Sequence, residues 1–152
     1  MEIPESKLIK SELILRDIQL NDEIKLTRKS LVRWLALALG LISPNESRLS
    51  VLNVFEAILY YHIKEKRGPT YNDIVEFLKS QGVEMNEKTI RYHITQLKKS
   101  EILEDERGTY RISGFYGDNL SQAIEQIYKR KMELSFSAIR EAISALQKLH
   151  EQ

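Results

Sequence analysis

The chain has no cysteine among its 152 residues. Disulfide staples, thiolate metal sites, cysteine nucleophiles and thiol redox sensing are therefore excluded together. Proline and glycine are scarce, at three and six residues, which leaves few interruptions and points to long helices. The three histidines, His62, His93 and His150, stand at no metal-ligand spacing, and neither a Gly-rich phosphate loop nor an HExxH helix occurs. The expectation is a protein that is not an enzyme and uses no cofactor. Long apolar runs are missing too. The longest, Leu35 to Ile42, is far short of the about 20 residues that cross a bilayer. The opening MEIPESKLIK lacks the basic, apolar and small-residue segments of a secretion signal. A soluble, cytoplasmic protein with no membrane partner is expected. Nor is there a charge excess. With 23 Lys and Arg against 22 Asp and Glu, the net charge is +1, unlike proteins that coat DNA through a large positive surplus.

What is present has a globular balance, 42% hydrophobic and 30% charged, suited to one compact domain with an appended element. The abundance of Ile, Glu, Lys and Arg without Cys leans toward a thermophilic composition. Residues 7–20 fit a strand and a helix equally well. Asn21 is read as the cap of a first helix carrying Leu31, Trp34, Leu35, Ala38 and Leu39 at helical spacing, ended by Gly40 and Ser43-Pro44-Asn45. A second helix, Ser47 to Lys66, would bury Val51, Val54, Phe55, Ile58, Leu59 and His62, and Arg67-Gly68-Pro69 stops it. Thr70 or Asn72 caps a short third helix, Asp73 to Ser80, with Ile74, Phe77 and Leu78 inward and Gly82 left-handed after its end. Asn86 caps a fourth, Glu87 to Ser100.

The period then changes. Ile102-Leu103 and Thr109 to Ile112 read as a hairpin, with Glu104 to Gly108 as its turn. Asp118 is read as the cap of a final helix of about 30 residues, about 45 Å long, too long to bury its apolar face on so small a core. The expected fold class is mainly α with a small β-hairpin, a winged helix-turn-helix flanked by an N-terminal helix and a long C-terminal helix. Its parts are an N-terminal helical extension (1–46), a DNA-binding unit (47–114) and a dimerisation helix (118–151).

Helix, short helix, turn, helix and hairpin form the order in which a braced helix leaves its outer face free for a major groove about 12 Å wide. In the fourth helix Ile90, Ile94 and Leu97 fall at i, i+4 and i+7, the buried stripe. The run Thr89-Ile90-Arg91-Tyr92-His93-Ile94, with Leu97 and Ile102-Leu103, resembles the winged-helix repressors of the ArsR type and related archaeal regulators. The resemblance covers residues 49–113. It implies that Lys88, Thr89, Arg91, Tyr92 and Gln96 touch base edges. Glu101 departs from the family pattern, which has glycine before the aliphatic pair, and the family's metal-binding cysteines have no counterpart. From charge alone, Lys88, Arg91, Lys98 and Lys99 stand against Glu87, so the helix is locally basic. Arg91 suits guanine or a phosphate, and Lys98 and Lys99 suit phosphates. Glu104, Asp105 and Glu106 make the hairpin acidic unless Arg107 and Arg111 turn toward the backbone of the duplex. His93 reads as a core-edge histidine bonded within the domain, and Tyr60, Tyr61 and His62 as core with one exposed ring. Lys129, Arg130 and Lys131 suit either flanking phosphates or a solvated face.

The final helix carries Leu120, Ile124, Ile127, Leu134, Phe136, Ile139, Ile143, Leu146 and Leu149, a stripe that drifts around the axis instead of holding a heptad. It reads as a helix packed on several partners, the helix Leu31 to Leu41 among them. Trp34, Leu35, Leu134, Ile139, Ile143 and Leu146 form the expected dimer interface. The expected function is sequence-specific binding of palindromic double-stranded DNA by a homodimeric transcriptional regulator. An architectural, plasmid or viral DNA-binding protein and a protein-docking winged helix are the alternatives. No effector is assigned, although a cavity between the outer helices would suit a small apolar ligand.

Overall fold

Side-chain caps decide where four of the five α-helices begin. Thr27, extended at ψ 151°, accepts a bond from the Ser30 amide and opens α1 (Arg28–Ala38). Asn21 does accept from the Ile24 amide, but it starts only a 3-10 turn, Ile24–Leu26. The first helix thus begins later than Asn21 suggests, because the chain straightens at Thr27 before coiling. The computed structural model describes residues 1–152, and it is mainly helical with one small antiparallel hairpin, the coarse class expected from the sequence.

Helix α2 (Ser50–Lys64) is shorter than the expected span at both ends. Helix α3 (Tyr71–Ser80) opens with a reciprocal capping box between Thr70 and Asp73. Gly82 takes φ +71° after its end, as expected. Helix α4 (Glu87–Lys99) is capped by Asn86. Strands β1 (Leu103–Glu106) and β2 (Thr109–Ile112) pair antiparallel, with Leu103 opposite Ile112 and Glu106 opposite Thr109. The turn is therefore only Arg107-Gly108, at φ +55° and +84°, the paired positive φ that matches strand twist. Glu104, Asp105 and Glu106 lie in β1 and not in the loop.

A third extended segment precedes α3. The Tyr110 amide donates to the Pro69 carbonyl at 2.8 Å, and Thr70 bridges Thr109. Gly68 makes this approach feasible, since a Cβ there would overlap the Tyr110 carbonyl. The core beneath joins Ile58 and Val54 of α2, Ile74 of α3, Ile90 and Ile94 of α4, Ile112 of β2 and Phe115. His62 is buried among them. Its Nδ1 contacts the Ile58 carbonyl at 2.7 Å and its Nε2 accepts the Ile112 amide at 2.8 Å. The ring is thus a neutral Nδ1–H tautomer that pins β2 to α2, and burial pushes its pKa below the ordinary histidine value.

The ambiguous residues 7–20 are neither strand nor helix beyond a 3-10 turn, Pro4–Leu8. They form a strap. The Arg16 amide donates to Ala38, and its guanidinium donates to the Leu37 and Ile42 carbonyls at 2.7 and 2.9 Å, satisfying the C-terminal end of α1. Trp34 Nε1 donates to the Gln19 carbonyl at 3.0 Å, and Ile14 seats where Gly40 has no side chain.

Helix α5 (Leu120–His150) is capped by Asn119, not Asp118. Only its first turns touch the body, through Ala123, Ile127 and Tyr128. The Tyr128 hydroxyl donates to the Ile14 carbonyl at 2.7 Å and lies 3.1 Å from the Leu39 carbonyl, which shares its one proton, and Lys131 bonds Ser11. Every residue from Met132 to Gln152 is exposed. Helix α5 thus leaves the core after about three turns, and its distal part does not pack on α1. No helix is long and apolar enough to cross a membrane.

Candidate nucleic-acid interface

Helix α4 is held by one side and presented by the other. Ile90, Ile94 and Leu97 are 2–4% exposed, which fixes the rotation of the helix about its axis. Opposite that stripe lie Lys88, Tyr92, Thr95 and Lys99, at i, i+4, i+7 and i+11, all exposed. Tyr92 keeps 59% of its surface in water and rests its edge near the His93 ring. Neither Lys88 nor Lys99 forms an ion pair, so this outer row carries two uncommitted cations around an aromatic hydroxyl. Thr95 belongs to this row although its type carries no charge or ring to draw notice.

The flanks differ. On the side of α3 and the hairpin, Arg91 pairs with Glu87 at 3.0 Å, and its guanidinium lies 4.1 Å over the Tyr71 ring. The bond to Glu87 holds the Arg91 pKa above the usual range. Lys98 sits 4.0 Å from Asp105 of β1. On the other flank, Thr89, Gln96 and Tyr92 line a cleft of about 380 Å³ with Arg48, Ser50 and His93. His93 Nε2 and Ser50 Oγ are bonded at 2.8 Å, the domain-internal role expected of this histidine. Burial pushes the His93 pKa down. Arg48 and Tyr71 were not among the expected site residues. Both are remote in sequence from α4 and reach it only through the fold.

The hairpin contributes less positive charge than its arginines suggest. Arg111 is engaged by Glu104 and Glu106 of the facing strand, each at 2.6 Å, and stacks on Tyr116 at 4.5 Å. Hydrogen bonding to Glu104 raises its pKa. In the observed register the three groups share one face of the ribbon, so Arg111 neutralises the acidic strand and does not reach outward as expected of a DNA contact. Arg107, at the tip, is exposed and unpaired. The structure therefore brings Lys88, Thr89, Tyr92, Gln96 and Lys99 onto one open surface. Arg91 and Lys98 lie at its edge under internal restraint, Arg107 stands apart on the loop, and Arg111 is withdrawn.

Position 101, where glycine was the family pattern, does take a left-handed conformation, φ +68°. Glu101 accepts that backbone and pairs with Lys131 of α5 at 2.7 Å, which lowers the Glu101 pKa. The exit of α4 is thus tied to the base of α5. Lys131 is committed there and is not available to a phosphate, and Lys129 pairs with Glu125 at 3.0 Å.

A cleft of about 540 Å³ lies between the strap, α1 and residues 42–49, with Arg33, Glu23, Glu46 and Trp34 on its walls. It is not between the outer helices, since α1 and the distal part of α5 do not meet. Comparison of the chain with protein-family models, with curated proteins and with solved structures finds no match.

Proposed function

We propose that the chain is a winged helix-turn-helix protein that binds double-stranded DNA with α4 in the major groove, acting as a dimeric transcriptional regulator on a palindromic site. The observation that carries this reading is the outer row of α4. Two unpaired lysines bracket Tyr92 and Thr95 on a helix whose opposite face is locked into the core. A major groove accepts such a helix, with Lys88 and Lys99 at phosphates and Tyr92, Thr89 and Gln96 toward base edges. The segment Gly68 to Thr70 bonded to β2 supports the reading further, because it holds the hairpin beside α4 as a wing. Few cations are free, so affinity is modest, and its fall with salt is limited to the few phosphate contacts they make.

A protein-docking role is favoured by a different observation, the acidic β1 strand that neutralises Arg111 beside the candidate interface. The two readings separate in one experiment. Selection of wild-type protein against a pool of random duplexes, followed by anisotropy on the enriched sequence, is expected to yield a two-fold-symmetric site with half-sites about 10 base pairs, or a multiple, apart. An unenriched pool with uniform weak binding would indicate an architectural protein. No binding even at low salt would leave protein docking.

A further inference from the structure

Beyond Lys131, α5 carries large apolar side chains that nothing in its own chain covers. Met132, Phe136, Ile139, Ile143 and Leu146 are 55, 48, 45, 52 and 55% exposed. They follow one another at spacings of four, three, four and three residues, the alternation that keeps a single stripe facing a partner along two supercoiled helices. We infer that a second copy of this chain covers the stripe, forming a parallel two-stranded coiled coil with Phe136 and Ile143 at a positions and Met132, Ile139 and Leu146 at d positions.

Three features commit the stripe to a second copy. Knobs at this spacing are complementary to an identical helix, because each a or d side chain enters a hole framed by the same residues on its counterpart. The area suffices. Phe136 alone offers about 150–250 Å², and with its four aliphatic neighbours on each of two helices the area removed from water reaches the scale of about 1,000 Å² at which a biological interface begins. Charge selects the direction. Glu133 and Arg140 pair within one helix at 2.8 Å and leave the seam uncharged. Antiparallel pairing in the same layers would set two Arg140 guanidinium groups side by side, whereas parallel pairing sets Arg140 beside the small Ser135.

This seam changes the interface expected from sequence. Leu134 continues the line Leu120 and Ile127, spaced by seven, which faces the chain's own body. It lies nearly opposite the seam. Leu35 packs against the chain's own core, and Trp34 is bonded to the strap. The drift of the apolar stripe along α5 is the sum of two faces, the first turned to the body and the second to the second copy. Because Lys131 and Glu101 tie the base of α5 to the exit of α4, parallel pairing holds both α4 helices at the same end of the stem. Nothing in this pairing depends on what α4 binds, so it is tested without DNA.

Sedimentation equilibrium of the full chain is expected to show a dimer. The double variant Ile139→Asp/Ile143→Asp is expected to raise its dissociation constant at least about 100-fold, while Leu134→Asp leaves it within about threefold. The absence of native cysteine permits a second readout that needs no disruptive charge. Oxidised Leu146→Cys protein is expected to form a disulfide-linked dimer, and Leu134→Cys protein to remain unlinked. A monomeric wild type, or a dimer that survives the double aspartate variant, would overturn the proposal. So would linkage of Leu134→Cys, or linkage only between mixed Phe136→Cys and Leu146→Cys chains, which marks the antiparallel arrangement.

Discussion

The cations of α4 are not equivalent. Arg91 has the side chain best suited to guanine, and from composition it is the natural centre of the site. In the fold it is bonded to Glu87 and stacked on Tyr71, so it must leave both to reach a base. Lys88 and Lys99 have nothing to leave. That difference was not legible in the sequence, because Tyr71 lies 20 residues away and which residue it meets depends on how α3 crosses α4. The buried stripe was legible, since Ile90, Ile94 and Leu97 follow the period of one element alone. His62 was legible as a core residue but not as a bridge. Its Nε2 accepts the Ile112 amide only while unprotonated. Because its folded-state pKa lies below the ordinary value of about 6.5, the unfolded chain binds more protons there. Its contribution to stability is therefore complete above about pH 6.5 and is lost as the pH falls through the folded-state value. Burial lowers His93 in the same direction. Urea midpoints measured from pH 8 to pH 5 are expected to fall, and the His62→Leu chain to show a smaller fall from a lower start, by about 1–3 kcal/mol for the orphaned amide. A pH-independent midpoint in the wild type would count against the bridge.

Elements were read more reliably than their joints. The capped start at Asn86 follows from local chemistry, since a short polar side chain three residues before a free amide needs no tertiary information, whereas Thr70 and Asn72 compete until the capping box with Asp73 decides for Thr70. Asn21 and Asp118 carry the same signal and lose to Thr27 and Asn119, where the chain happens to turn extended. The acidic turn became an acidic strand because Arg107-Gly108 alone can close the hairpin, and alternation over four residues is too short to distinguish the two. Gly68 had only the meaning of a helix stop in the sequence. In the fold it is the point where β2 comes closest to the segment before α3. Gly68→Ala would force the Tyr110 carbonyl away, at a cost of about 1–3 kcal/mol, and is expected to lower the urea midpoint accordingly. A Gly68→Ala protein as stable as wild type would mean that the hairpin is not held there.

Over the whole molecule, the strap and the seat of α5, though not its length, escaped the sequence for one reason: both depend on partners distant along the chain. Residues 9–20 have no internal hydrogen-bond ladder, and Arg16 acts as a cap for a helix that begins 12 residues later. Tyr128 joins strap, α1 and α5 through one hydroxyl, and burial pushes its pKa up to about 12. The unfolded tyrosine ionises near 10, so this group stabilises fully below about pH 10 and its contribution is lost as the pH rises toward about 12. Thermal unfolding is expected to show that alkaline loss in the wild type and less of it in Tyr128→Phe, whose strap amides also exchange faster with solvent. Equal alkaline profiles would contradict the shared anchor.

The proposed binding of DNA rests on the outer row of α4. The most direct measurement is anisotropy with the selected duplex between about 50 and 200 mM salt, for the wild type, for Lys88→Ala and Lys99→Ala singly, and for Tyr92→Ala. Each lysine variant is expected to bind more weakly and to reduce the salt slope by about 2, about 1 for each copy in the dimer. Tyr92→Ala is expected to lose about tenfold or more on the selected site with its slope unchanged. Wild-type affinity and slope retained in all three variants would contradict the assignment of α4.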